Sequence, residues 1–321
     1  MGTKQSLYKA HKIKDDEFFT LYEDVANEVS FYKKQLKGKR IICPCDWDES
    51  YNEEVVFKEE GFVAPSNLLD KGGTIKKIDI KASKKKIEKS LALIKCNFVK
   101  FLVAHADAYR IKSISVSGYN PANGKGVKFQ DVDYSKYDLV ITNPPFSQFR
   151  DFIDTMFKNK MEFLVVGPIT AITYKEVFNH IKDNEMWLGY AKQLSGFRLA
   201  NGTLVLSKNP EGSVPRACKW YTNLDVAYRH DRMILTESYS PEKYPKYDNY
   251  DGIEVSQTKK IPHDYIGAMG VPVTFLTKFS PDQFEIVKFR KGDDEKDLSV
   301  KGKYPFARIL IKNREVIKNE K

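Results

Sequence analysis

Short apolar runs separated by stretches of helical periodicity mark the first two thirds of the chain. That pattern predicts a parallel sheet with crossover helices. The runs are Arg40-Ile41-Ile42-Cys43-Pro44-Cys45 after the turn at Gly38, Val99 to Ala104, a weak one from Val127 to Val132, Tyr137 to Thr142, and Glu162 to Val166. Between the last two, Phe149, Phe152, Ile153, Met156 and Phe157 recur at i, i+3, i+4, i+7 and i+8 spacing, so Ser147 to Lys160 reads as an amphipathic helix. Strand, rigid turn, helix and return strand form the crossover unit of a doubly wound α/β sheet. Ligands of such sheets sit at the carboxyl ends of the strands, which puts the chemistry in the turn after Thr142.

Past residue 230 the periodicity gives way to aromatic and Pro-rich turns, with strand-like runs at Val271 to Leu276 and Phe306 to Ile311. Two regions result: a core domain, residues 1–230, and a smaller, irregular, basic region, residues 231–321. The most apolar stretch, Phe163 to Ile172, is broken by Gly167, Pro168 and Thr170, so no run approaches the roughly 18 residues that cross a bilayer. The N-terminus lacks the apolar core of a secretory signal, and a cytoplasmic protein with no membrane partner is expected.

Lys and Arg number 53 against 43 Asp and Glu, a net charge of +10. A basic surface favours polyanions through counterion release. The lysine-rich span from Lys71 to Lys89, which includes Lys84, Lys85 and Lys86, reads either as a solvated face or as a phosphate-contacting one. Cys43, Cys45, Cys96 and Cys218 have no zinc-like spacing, so they read as reduced thiols and no metal is expected.

The turn after the fourth run is Asn143-Pro144-Pro145-Phe146. It suits methyl transfer to an exocyclic amine, a poor nucleophile because its lone pair is delocalised into the ring. The side-chain oxygen of Asn143 and the carbonyl of Pro144 can each accept one amine hydrogen. Held out of the ring plane, those bonds localise the lone pair toward a methyl donor. Successive prolines have a fixed φ and hold that carbonyl rigidly. Phe146 offers a flat face on which an extruded base stacks. The structural alternative is a Pro-Pro turn ending a core strand, with Phe146 buried; the flanking strand and amphipathic helix favour the chemical one.

Further segments extend the picture: Asp16-Glu17-Phe18-Phe19-Thr20, Thr142 to Ser147, Thr173 to Asn179, Trp220 to Val226, Tyr244 to Tyr250, Gly270 to Leu276 and Lys288 to Gly292. On them the sequence resembles the EcoRI-type adenine-specific DNA methyltransferases almost end to end. The resemblance implies a Rossmann-like methyltransferase fold, S-adenosylmethionine as donor, double-stranded DNA as substrate, and flipping of an adenine in an AATT-centred palindrome such as GAATTC. A monomer is expected, with a cognate restriction endonuclease as functional counterpart where one exists.

No glycine loop follows the first run, which continues Cys43-Pro44-Cys45-Asp46-Trp47-Asp48, similar to the family's own departure from the usual motif. By position, the backbone near Cys45 and the carboxylate of Asp46 approach the methionine part of the donor; Asp46 as a helix cap is the alternative. Phe18, Phe19 and Thr20 resemble the segment that packs over the donor, with plain core packing as the other reading of the rings. Asp107 and Asp131, after the second and third runs, are candidates for the donor's ribose and adenine. Trp220 is a candidate second face for the flipped base, or a core residue. A thiol nucleophile at Cys45, as in cytosine C5 enzymes, lacks the preceding glycine-rich loop. Two other functions stay open: the same turn serving an RNA guanine amine or a protein glutamine amide, and a DNA-binding scaffold that has lost donor binding.

Overall fold

The computed structural model describes residues 18–46, 62–63, 69–70, 73–74, 76–78, 81, 96–120, 124–199, 202–206, 217–290, 298–303 and 307–315. The chain divides into two compact units, Met1–Ala171 with Gly189–Leu224, and Ile172–Leu188 with Asp225–Lys321. Lys84, Lys85 and Lys86 lie outside the described residues, as do Trp47 and Asp48.

In the first unit the described elements are β1 (Phe18–Thr20), α1 (Tyr22–Val29), β2 (Arg40–Cys43), α2 (Asn97–Tyr109), β3 (Ser113–Val116), β4 (Leu139–Thr142), α3 (Phe149–Lys158), β5 (Glu162–Pro168), β6 (Gly196–Leu199), β7 (Leu204–Leu206) and β8 (Cys218–Thr222). The main sheet runs β8-β5-β4-β2-β3 and continues through the short strands Lys76–Ile78 and Phe62–Val63. Strands β5, β4, β2 and β3 are parallel, while β8 lies antiparallel on β5 and Lys76–Ile78 antiparallel on β3. The chain leaves β2 toward β3 on one side and leaves β4 toward β5 on the other. The direction of winding therefore reverses between β2 and β4, which makes their carboxyl ends the switch point of the sheet. A second, antiparallel sheet has the order β1-β6-β7.

Three of the expected runs are strands where the pattern put them, at β2, β4 and β5. The expected helix is α3, which buries Phe149, Phe152, Ile153 and Met156, each worth about 1.5–3 kcal/mol. Gly167 on β5 lies so close to the Phe149 ring that a Cβ there would overlap it.

The run from Val99 to Ala104 is not a strand but the middle of α2. That helix buries Phe98, Val99, Phe101, Leu102, Val103, Ala106 and Tyr109, so it lacks a clean polar stripe. A short apolar window cannot distinguish a helix buried around most of its circumference from a strand. The second parallel strand is instead Ser113-Ile114-Ser115-Val116, whose serines disguised it although Ser115 is buried. Val127 to Val132 forms no strand; Phe129–Asp131 is a single 3-10 turn.

The second unit contains α4 (Lys175–Lys182), β9 (Gly252–Glu254), β10 (Ala268–Val271), β11 (Phe284–Arg290) and β12 (Arg308–Asn313), in sheet order β9-β10-β12-β11. The run expected from Val271 to Leu276 divides at Pro272: β10 ends before it, and Val273–Lys278 turns as a 3-10 helix. Tyr244 and Tyr247 are buried. The Tyr247 hydroxyl donates to Glu254 Oε2 at 2.6 Å, and Arg308 grips Glu254 at 2.6 and 2.8 Å. Tyr247 also occupies the space a side chain at Gly270 would need.

One ion pair at the amino edge of the main sheet sets a pH limit. The Arg40 guanidinium donates to both oxygens of Asp138 at 2.8 and 3.0 Å, and the Arg40 backbone N–H adds a third bond at 2.7 Å. These bonds hold the Asp138 carboxyl down at about 2. An unfolded aspartate titrates near 3.9, so between about pH 4 and pH 2 the unfolded chain binds more protons. The stabilisation is complete above that window and is lost as pH falls through it. Thermal melts of Asp138→Ala should show lower stability at neutral pH and a shallower acid loss across the window. Curves parallel to wild type there would exclude the pair as a contributor.

Candidate active site

Pairing of β2 with β4 runs through Leu139↔Ile41 and Val140↔Ile42, and beyond it side chains take over. The Cys45 N–H donates to Thr142 Oγ1 at 3.2 Å, and the same hydroxyl donates to Asp46 Oδ2 at 2.5 Å. The Asn143 backbone N–H is also bonded to the Asp46 carboxylate. On the other side the Ser117 N–H donates to the Cys43 carbonyl at 3.0 Å, and the Cys96 thiol at the start of α2 meets the Asp46 carbonyl. The sequence-predicted Cys45, Asp46 and Asn143 thus converge on one spot.

Burial pushes the Asp46 carboxyl up to about 7, against the lowering effect of its bonds from Thr142 and Asn143. Burial likewise pushes the Cys43 and Cys45 thiols well up, which keeps them protonated and unsuited to nucleophilic attack.

In the acceptor turn Pro144 is buried, while Asn143, Pro145 and Phe146 are half-buried, and the side-chain oxygen of Asn143 is itself enclosed. The Pro145 carbonyl accepts from Gln148 N–H at 2.9 Å, closing a 3-10 turn that leads into α3. Phe146 meets the buried Phe197 of β6 edge-on, with centroids 6.0 Å apart.

Strand β6 connects this turn to the N-terminal segment. Phe18, Phe19 and Thr20 pair with Leu199, Arg198 and Phe197, and the Thr20 carbonyl accepts from the Asn97 side chain at 2.7 Å. Residues Phe19 and Thr20 are therefore joined to both the acceptor turn and the start of α2.

Two buried carboxylates hold β6 in place. Glu28 accepts from the N–H groups of Tyr190 and Ala191 at 2.8 and 2.6 Å and from the Tyr32 hydroxyl at 2.8 Å. Asp24 accepts from the Ser195 N–H and hydroxyl. Burial raises both carboxyls, and the hydrogen bonds oppose it. Their i, i+4 spacing on α1 gave a sequence signal, but it was indistinguishable from an ordinary acidic helix face.

Three further candidates lie on other elements. Asp107 is exposed in the last turn of α2, and that end of the helix is bonded to Gly38 and Lys39 at the amino edge of β2. It stands at the opposite edge of the sheet from Asp46, because the strand expected before it is a helix. Asp131 is the exposed last residue of a 3-10 turn whose first residue, Phe129, is buried. Trp220 is fully buried in β8, edge-on to Phe98, and offers no face to a base.

Two positions bear on whether a donor suits this crevice. Thr20 Oγ1 and Ser117 Oγ are buried and have no hydrogen-bond partner among the described residues. Buried hydroxyls normally find one. Thr20 ends β1 and Ser117 follows β3, and their hydroxyls, with the Asp46 carboxyl, are groups of the kind a polar, cationic ligand uses.

In the second unit a cavity of about 590 Å³ is lined by Arg232, Ile234, Glu237, Lys259, Lys260 and Lys278 among others, with Ile234 90% exposed.

A family model described as adenine-specific methyltransferase EcoRI matches residues 6–62 and 132–315. The chain is 38% identical to Type II methyltransferase M.EcoRI of Escherichia coli, with 99% of each chain covered. It is 31% identical to Type II methyltransferase M.MpnI of Mycoplasma pneumoniae, over 96% of this chain and 98% of that one. No solved structure matches the chain.

With its crevice at the switch point and an Asn-Pro-Pro-Phe turn beside it, the chain is a site-specific adenine DNA methyltransferase. It belongs to the adenine-specific methyltransferase EcoRI family. Membership implies S-adenosylmethionine as methyl donor and DNA as substrate, and the RNA, glutamine and scaffold readings fall away.

The carboxylate clamp on β6 generates a stability prediction. Glu28→Ala removes the carboxylate that accepts from two N–H groups and the Tyr32 hydroxyl, so denaturant unfolding should show a loss of about 1–3 kcal/mol. An unchanged midpoint would mean that the segment is held by other contacts.

Proposed function

We propose that the enzyme methylates the N6 amine of an adenine flipped out of an AATT-centred duplex site of the GAATTC kind. The observation that carries this reading is the Asn143–Phe146 turn at the switch point, bonded through Asn143 to the Asp46 loop. The strand order, with four parallel strands and antiparallel β8 beside β5, supports a Rossmann-like methyltransferase fold.

In this reading the Asn143 side-chain oxygen and the Pro144 carbonyl each accept a hydrogen bond from the amine, and the two bonds turn its lone pair out of the ring plane. Phe146 supports the face of the flipped base, as stacking platforms do. Asp46, the Cys45 backbone, Thr20 and Ser117 hold the donor, with Phe18 and Phe19 contributing the strand that frames it. When bound, the donor supplies an electrophilic methyl group on a sulfonium. Asp107 and Trp220 are left out of the site by their positions.

Residues of the second unit read the duplex, since base choice requires side chains that reach the grooves. Its cleft with Lys259, Lys260 and Lys278 suits a phosphate backbone. We further assign a monomeric, cytoplasmic enzyme, with a restriction endonuclease as its functional counterpart.

Two experiments test these assignments. Asn143→Ala should lower the rate of methyl transfer by about 10²–10³-fold while DNA binding survives, as for loss of one preorganised acceptor or donor. A rate within about threefold of wild type would sink the assignment. Binding to duplex DNA should weaken with salt by about 0.9 log units per log unit for each neutralised phosphate. Replacing Lys259, Lys260 and Lys278 together by Gln should flatten that slope, and an unchanged slope would remove the cleft from the interface.

A further inference from the structure

We propose that Thr142 is a positioning residue for methyl transfer: its hydroxyl fastens the donor loop to the acceptor turn across the switch point, and the rate depends on that fastening. The inference rests on the reading of Asn143 given above. Thr142 is the last residue of a central strand and is fully buried. Its backbone is registered against Val165 of β5, so the residue is anchored on one side by the sheet. Its hydroxyl reaches to the other side, accepting from the Cys45 N–H and donating to Asp46 Oδ2. The next residue, Asn143, sends its N–H to the same carboxylate.

Packing alone does not call for this arrangement. A valine would fill the same volume in a buried strand and favour it equally by β-branching. A hydroxyl with both of its bonds directed at the neighbouring loop instead sets a distance. The loop carries the residues that hold the donor, and the turn carries the group that holds the amine. Displacement of either by about 1 Å can cost about a hundredfold in rate, because the reacting atoms must lie in line and in contact.

Thr142→Val, Thr142→Cys and Thr142→Ser, with Asn143→Ala alongside, test the proposal by single-turnover methylation of a GAATTC duplex. Donor and DNA affinities and melting temperature are measured on the same proteins. Thr142→Val should slow the methyl-transfer step by about a hundredfold, with affinities within about threefold of wild type, while Thr142→Ser restores the rate to within about threefold. Thr142→Cys keeps the shape with a weak donor and serves if the valine variant does not fold; it should be slowed likewise. A valine or cysteine variant with a near wild-type rate overturns the proposal. So do equal losses in the valine and serine variants, or a loss accounted for wholly by weaker donor binding. Asn143→Ala separates the two levels: if it stays active the acceptor reading itself fails, whereas an inactive Asn143→Ala beside an active Thr142→Val removes only the role of Thr142.

Discussion

Adjacent parallel strands whose connections leave in opposite directions must part at their carboxyl ends, and the backbone groups exposed there still need partners. Between β2 and β4 that need is met by the Thr142 hydroxyl and the Asp46 carboxylate rather than by more ladder, and on the β3 side the Ser117 N–H takes the Cys43 carbonyl. The acceptor turn suits the same constraint. Pro144 and Pro145 have no N–H to leave unsatisfied, so the chain can be buried at Pro144 without a further bond. A crevice built this way is fixed on both sides.

The antiparallel sheet β1-β6-β7 builds onto that crevice from distant parts of the chain. It is drawn in by Asp24 and Glu28, whose burial is unfavourable by itself and is offset by bonds to backbone N–H groups. The outcome is a Phe197 ring set against Phe146 and a Thr20 strand set beside Asn97. Gly189 stands where any side chain would collide with Glu28, which is why the segment can pass so close to α1.

Two of the segments that carry the family resemblance, Tyr244 to Tyr250 and Gly270 to Leu276, belong to the framework of the second unit. Tyr247, Glu254, Arg308 and Gly270 lock together, and Phe275 and Leu276 are core. Groups free to meet a partner are on other stretches, such as exposed Ile234 and Ile266 and the lysines of the cleft. Family likeness there reports a shared scaffold more directly than it reports the bases read.

The sequence by itself determined β2, β4, α3 and β5, the Asn143–Phe146 turn and the family. Each of these is written in local periodicity, or in a motif whose flanking elements are contiguous. Only the tertiary structure decided the rest. A helix buried on most sides reads as an apolar run, so α2 passed for a strand and Asp107 for a residue at the carboxyl edge. Ser113 to Val116 reads as polar until its neighbours bury it. Whether a tryptophan faces a ligand or a core depends on partners such as Phe98, which are far away in the chain. The same holds for Thr142, Ser117, Asp24 and Glu28: their roles come from bonds to residues across the fold, and no spacing along the chain encodes those.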